Sequence, residues 1–372
     1  MGPAETAEIV AVLDRLANDL ITPTFIRFAE QARVLDEAVA AWAAAPDDAA
    51  LREVAREAWV GAMLTWQHAE LMQLGPAGPQ GQRVGGDDIR DRVYSWPTAR
   101  PCRVDQLLVD DGYAEAGWLD NALFDVQGLD AVEYLLFVET SANACPAAVR
   151  INREGLWEAR FGDQPEALAR GRAAYAAVVA SGVRAAGDAL VAAFAGDGDD
   201  FASALAAGSA PYESPAEALD QVYAALFYLD KIVKDTKLGR VLGLAEGCDL
   251  ALCPEAVESR YSGRGAPHLA ANLESFEALF FGDVAGEAGA GLDDLLRARD
   301  AAAVVERMSD NLAAARAAVS ALSPDLATAL ETDPDAVRAV HTAVKAVTTD
   351  LKGEVMSILD LEVPREGAGD SD

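Results

Sequence analysis

The segment Gly128-Leu-Asp-Ala-Val-Glu-Tyr-Leu-Leu-Phe137 places two carboxylates, Asp130 and Glu133, three residues apart in an otherwise apolar run. On an α-helix that spacing sets both on one face, as neighbours. Acids flanked by Leu129, Val132, Leu135 and Leu136 are costly to bury unless they are paired, hydrogen-bonded or holding a cation. A similar pattern stands at Asn272-Leu-Glu-Ser-Phe-Glu-Ala-Leu-Phe-Phe281, where Glu274 matches Asp130 and Glu277 matches Glu133. Two look-alike helices meeting near a pseudo-twofold axis would bring these acids together, as in the carboxylate-bridged metal sites of helical bundles. Oxygen ligation favours a hard divalent or ferric ion, iron or calcium, over zinc. The competing reading is surface acids that cap or salt-bridge their own helices.

Three further groups are candidates. Trp66 and Glu70 lie one helical turn apart, so Glu70 is a candidate to face the same crevice as Glu133, the alternative being a structural role, while His68 points elsewhere. The run Val257-Glu-Ser-Arg-Tyr-Ser-Gly263 offers Glu258, Ser259 and Ser262 on a polar loop, the kind of segment that carries binding groups or merely connects helices. Lys231, Lys234 and Lys237 form a basic stripe, read either as a solvated face or as counter-charge to buried acids or an anionic ligand. There is no HExxH, no GxSxG, no phosphate loop and no Cys/His pairing suited to nucleophilic catalysis.

The elements that must position these groups read as helices. Apolar residues recur at helical spacing almost throughout and two-residue alternation is nearly absent. The expected fold class is all-α, two related bundles built by internal duplication. Helices are expected over about 4–45 (kinked at Pro23), 49–74, 87–94, 118–138, 164–195, 198–207, 215–239, 267–281, 299–322 and 334–360. Pro215, Pro267 and Pro334 mark first turns. The polar run Gly196-Asp-Gly-Asp-Asp200 is the expected boundary between an N-terminal bundle, 1–195, and a C-terminal one, 196–363, with 364–372 a disordered tail.

Composition narrows the function. The 372 residues are 51% apolar and carry 30 basic against 61 acidic side chains, a net charge of −31. Such a chain should repel nucleic acid and anionic headgroups, and it suits a cation. Cys248 and Cys253 fit a short disulfide loop, which leaves Cys102 and Cys145 to each other and implies an oxidising compartment; four buried thiols are the alternative. No signal peptide is visible at Met1, so an exported form would already have lost its leader. The most apolar region, Ala173 to Phe194, is interrupted by Arg184 and Asp188 and reads as a helix that does not span a membrane.

Together these residues resemble the imelysin family, whose founding members were described as insulin-cleaving metallopeptidases of the bacterial envelope. The resemblance runs through Trp66…Glu70…Gly75-Pro76, Trp96-Pro97, Gly128 to Phe137, Tyr228 to Gly239, Glu258-Ser-Arg-Tyr-Ser262 and Leu351 to Leu359. It implies two related helical bundles with a site at their interface. It also implies a periplasmic or lipoprotein location and an association with iron uptake, with an envelope iron-transport component as partner. The family signature GxHxxE stands here as Gly128-x-Asp130-x-x-Glu133. The change from histidine removes the nitrogen ligand and the best general acid–base near neutrality. The leading expectation is an exported protein that holds a cation in an acidic inter-domain crevice, through Asp130, Glu133, Glu70 and Glu258. The alternatives are a metal-dependent peptidase using Glu133, and a non-catalytic cell-surface interaction module.

Overall fold

The computed structural model describes residues 2–196, 200–284 and 286–364. Most of the polar run at 196–200 and nearly all of the tail expected to be disordered at 364–372 lie outside the described residues. Among those described there is no β-strand, only an isolated antiparallel bridge between Val284 and Glu287. The chain is all-α.

Two compact units are present, and they interleave along the sequence rather than forming the consecutive blocks 1–195 and 196–363. The first comprises Met1–Ile26, Trp66–Asp88 and Val191–Asp372, and the second Arg27–Thr65 and Ile89–Leu190. Three of the four changes of unit fall inside long helices, Thr22–Ala44, Ala49–Ala69 and Pro165–Phe194. A helix interior carries no loop-like composition, so these boundaries leave no mark in the sequence.

The first unit buries Leu13, Ile21, Phe25, Phe194, Tyr223, Phe276, Leu312 and Val340. Its helices begin where expected: Ser214 and Asp333 cap Pro215–Leu226 and Pro334–Asp350 by accepting from Glu217 N and Ala336 N at 3.2 and 3.1 Å. The kink expected at Pro23 takes a specific form. A π-helical turn, Leu16–Ile21, precedes Thr22–Ala44, because proline has no N–H to return to the preceding turn and its ring crowds that turn's carbonyl. Thr24 Oγ1 donates to Leu20 O at 2.7 Å, one turn back.

In the second unit Phe28, Leu35, Trp42, Trp59, Leu129, Leu135, Tyr175 and Val183 form the core. Trp59 Nε1 donates to Leu129 O at 2.7 Å and Tyr175 OH to Val126 O at 2.7 Å, so both large rings bury without an orphaned donor. The helix expected over 118–138 is instead three pieces, Trp118–Asn121, a 3₁₀ turn at Phe124–Val126, and Gly128–Phe137. Extended backbone at Gln127 and a positive φ at Gly128 force the break. Helix Pro165–Phe194 is long and apolar enough to cross a membrane by length and composition alone, yet Tyr175, Val179 and Val183 on it are wholly buried within this unit.

Both disulfides form, Cys102–Cys145 in the second unit and Cys248–Cys253 in the first, and no described cysteine is free.

Candidate functional site

The acid pair of the second unit is built by a helix that is buried almost from end to end. Only Phe137 within Gly128–Phe137 is not buried. Gly128 enters it at φ +82°, and a Cβ there would stand 2.8 Å from Val93 O and 3.0 Å from Asp130 Oδ1. Only glycine tolerates both the conformation and that approach. Asp130 and Glu133 are 7% and 5% exposed, one turn apart as the spacing predicts. Asp130 Oδ2 accepts from Ser95 Oγ at 2.8 Å and Oδ1 from Ala131 N at 3.0 Å. Burial nonetheless raises its pKa to about 7, the Ser95 and Ala131 hydrogen bonds opposing the rise.

In the first unit a second polar cluster closes around Lys237. This residue is wholly buried, and its Nζ lies 2.7 Å from Gln67 Oε1, 2.8 Å from Asn272 Oδ1, 2.9 Å from Glu258 Oε1 and 3.3 Å from Glu70 Oε2. The ring of Tyr228 adds its face at 5.6 Å. Gln67 and Asn272 are fixed in turn, Gln67 Nε2 donating to Glu258 Oε1 at 3.2 Å and Asn272 Nδ2 to Gln67 O at 2.8 Å. His268 Nδ1 lies 3.2 Å from Ser259 Oγ, and burial with the Lys237 charge nearby lowers the His268 pKa to about 3. That imidazole is neutral at physiological pH. Ser262 Oγ donates to Ser259 O at 3.2 Å and so shapes the loop.

Glu70 and Glu258 therefore do converge, but on an ammonium rather than on an open cation position. The physical reason is electrostatic: carboxylates this deeply buried need a positive partner, and Lys237 supplies one within hydrogen-bond distance of both. A metal ion does not fit this cage while Lys237 fills it. The lysine stripe is not a solvated face, since Lys234 is 1% exposed and pairs with the buried Asp230 at 2.7 Å. Leu229–Gly239 winds as a π-helix, so the i, i+3, i+6 spacing no longer traces a single face.

The proposed second acid pair does not enter the interior. Glu274 has a half-exposed side chain 3.9 Å from His68 Nε2, and Glu277 pairs with Arg316 at the surface. Trp66 is an ordinary core residue, 1% exposed. Among the described residues no three His, Cys, Asp or Glu side chains are grouped to hold a metal ion. Sequence reasoning passed over Gln67, Asn272 and His268. Only the scarcity of lysine and histidine in so acidic a chain hinted at buried roles for Lys237 and His268.

Comparison with known proteins agrees with this architecture. The family model described as Imelysin matches residues 21–352. The fold is similar to that of an iron-regulated protein A precursor from Parabacteroides distasonis, with TM-score 0.72 and 16% identity over 95% of each chain. It is also similar to an imelysin-like protein from Psychrobacter arcticum, with TM-score 0.71 and 18% identity over 96% of this chain and 97% of that one. No curated protein matches the chain.

Proposed function

The chain belongs to the imelysin family, and from that premise we propose that it is an exported envelope protein associated with iron uptake, binding a cation as cargo through Asp130 and Glu133. The observation that carries the reading is the pair of buried carboxylates one turn apart on Gly128–Phe137. Such groups are expensive to bury and are retained where they do work. The description of the Parabacteroides distasonis protein as iron-regulated supports the iron association. Two disulfides support an oxidising compartment outside the cytoplasm. Glu70 and Glu258 leave the proposed ligand set because the Lys237 ammonium already occupies the position between them. Two carboxylates do not complete a coordination sphere, so the cargo would keep ligands of its own, as a ferric chelate does. Peptidase chemistry draws no support from Asp130 in the histidine position.

Calorimetric titration of ferric citrate, with calcium as a second probe, tests the proposal on wild type, Asp130→Asn and Glu133→Gln. Each substitution should weaken binding by about tenfold or more, equivalent to about 1.4 kcal/mol. Unchanged affinity in both variants, or no heat with either probe, would refute it. Digestion of an unfolded peptide with and without chelator should show no cleavage.

A further inference from the structure

A cavity of about 160 Å³ in the second unit is lined by Trp42, Leu135 and Leu168 on its apolar side and by Arg52, Arg172 and Glu139 on its polar side. Its charge is opposite to that of the molecule. In a chain of net charge −31, two guanidiniums, Arg52 and Arg172, line it, and a third, Arg56, shares the Leu136 carbonyl with Arg52. One exposed carboxylate, Glu139, serves two of them: it lies 3.5 Å from Arg52 Nη1 and also pairs with Arg56.

Arg172 is the anomaly. It is 93% buried (7% exposed), and the acceptors it meets are neutral carbonyls, Val138 O at 3.3 Å and Thr140 O at 2.9 Å. Its Nε has no hydrogen-bond acceptor among the described residues, and no described carboxylate lies within 4.0 Å of its guanidinium, going by the ion pairs present. A buried acid in its field, Asp105, is engaged by Tyr134 OH at 2.8 Å and Ala144 N at 2.7 Å. Arg52 spends its Nε and Nη2 on Leu136 O at 3.0 and 2.7 Å and sits 5.9 Å from the Trp42 ring. Asp105 and Glu139 act on Arg172 only through space, and a buried guanidinium with no carboxylate in contact is held at considerable cost. The first turn of Pro165–Phe194 lines the same cavity and adds the positive end of a long helix.

We propose that this cavity binds a small organic carboxylate, with the carboxylate on Arg172 and Arg52 and a short apolar body against Trp42, Leu135 and Leu168. Paired guanidinium donors match a carboxylate's two oxygens, and a desolvated pair of this kind is stronger than one in water. The apolar wall selects against a fully hydrated inorganic anion. This site is separate from Asp130 and Glu133 and does not rest on the cation reading.

The test is calorimetric titration of the full chain with 4-methylpentanoate, with its neutral amide, and with inorganic phosphate. The carboxylate should bind about tenfold or more tightly than either of the others. Arg172→Met should weaken it by about tenfold or more, and Arg172→Lys should restore part of the loss. Circular dichroism and a thermal melt establish that each variant is folded; if Arg172→Met does not fold, Arg52→Gln at the cavity rim is read in its place, with the same loss expected. The proposal fails if the amide or phosphate binds as well as the carboxylate. It fails equally if the folded variants bind like wild type, or if no carboxylate binds at millimolar concentration.

Discussion

At the scale of single residues, burial decides what each ionisable group does. Lys237 supplies positive charge to Glu70 and Glu258 where water cannot, so removing it leaves two buried acids without the ammonium that faces both. Lys237→Ala should destabilise the protein by about 3–5 kcal/mol, measured by urea unfolding, the range found when one member of a buried ion pair is deleted. Adding Glu70→Gln and Glu258→Gln to that variant should recover much of the loss. Asp130 makes a pH-dependent contribution of the opposite kind. Its folded pKa of about 7 lies above the ordinary 3.8, so between those values the native state binds more protons than the unfolded chain. Stability from this group is therefore full below about pH 4 and is lost as the pH rises through 7, at no more than about 1.4 kcal/mol per pH unit. Asp130→Asn mimics the protonated form. The stability of wild type relative to that variant should fall steadily from pH 4.5 to pH 7, and a flat difference would contradict the raised pKa. His268, with its pKa lowered to about 3, acts with the reverse sign over pH 3 to 6.5 and is unaffected by the comparison.

At the scale of elements, local backbone rules set where each helix begins, and those beginnings aim the chemistry. Gly128 starts the acid-bearing helix at φ +82° against Val93 O. Gly128→Ala would combine an unfavourable conformation with a backbone clash, and it should cost about 1–3 kcal/mol in denaturant unfolding. The same substitution should also disturb Asp130, whose Oδ1 lies 3.0 Å from the added methyl. Much at this scale was legible from the sequence. The prolines at 215 and 334 marked real helix starts. What was not legible were the departures from α geometry at Leu16–Ile21, Leu229–Gly239 and Leu351–Val355. A π-helical turn keeps the same composition as an α-turn and changes only which side chains share a face.

For the whole molecule, the two disulfides differ in what they restrain. Cys102–Cys145 closes a loop with sequence separation 43, and Cys248–Cys253 one of 5. Loop-closure entropy assigns about 4 kcal/mol to the first and about 2 kcal/mol to the second. Replacing Cys102 and Cys145 by alanine should therefore lower stability more than the same change at Cys248 and Cys253, as read from paired urea melts. A reversed order would show that native-state contacts, not chain entropy, dominate their effect.

The amino-acid sequence by itself determined the all-α class and the placing of Asp130 and Glu133 one turn apart on one helix, and it offered the cysteine pairing that forms beside the alternative of free thiols. Each of these follows from spacing along the chain, which periodicity and short separations record. Tertiary structure alone decided that Glu70 and Glu258 close on Lys237, that Glu274 and Glu277 face solvent, and that Arg172 is buried among neutral carbonyls. Those outcomes depend on which groups distant segments bring into van der Waals range. A charge is a ligand, a counter-ion or a surface group according to neighbours that linear order does not specify.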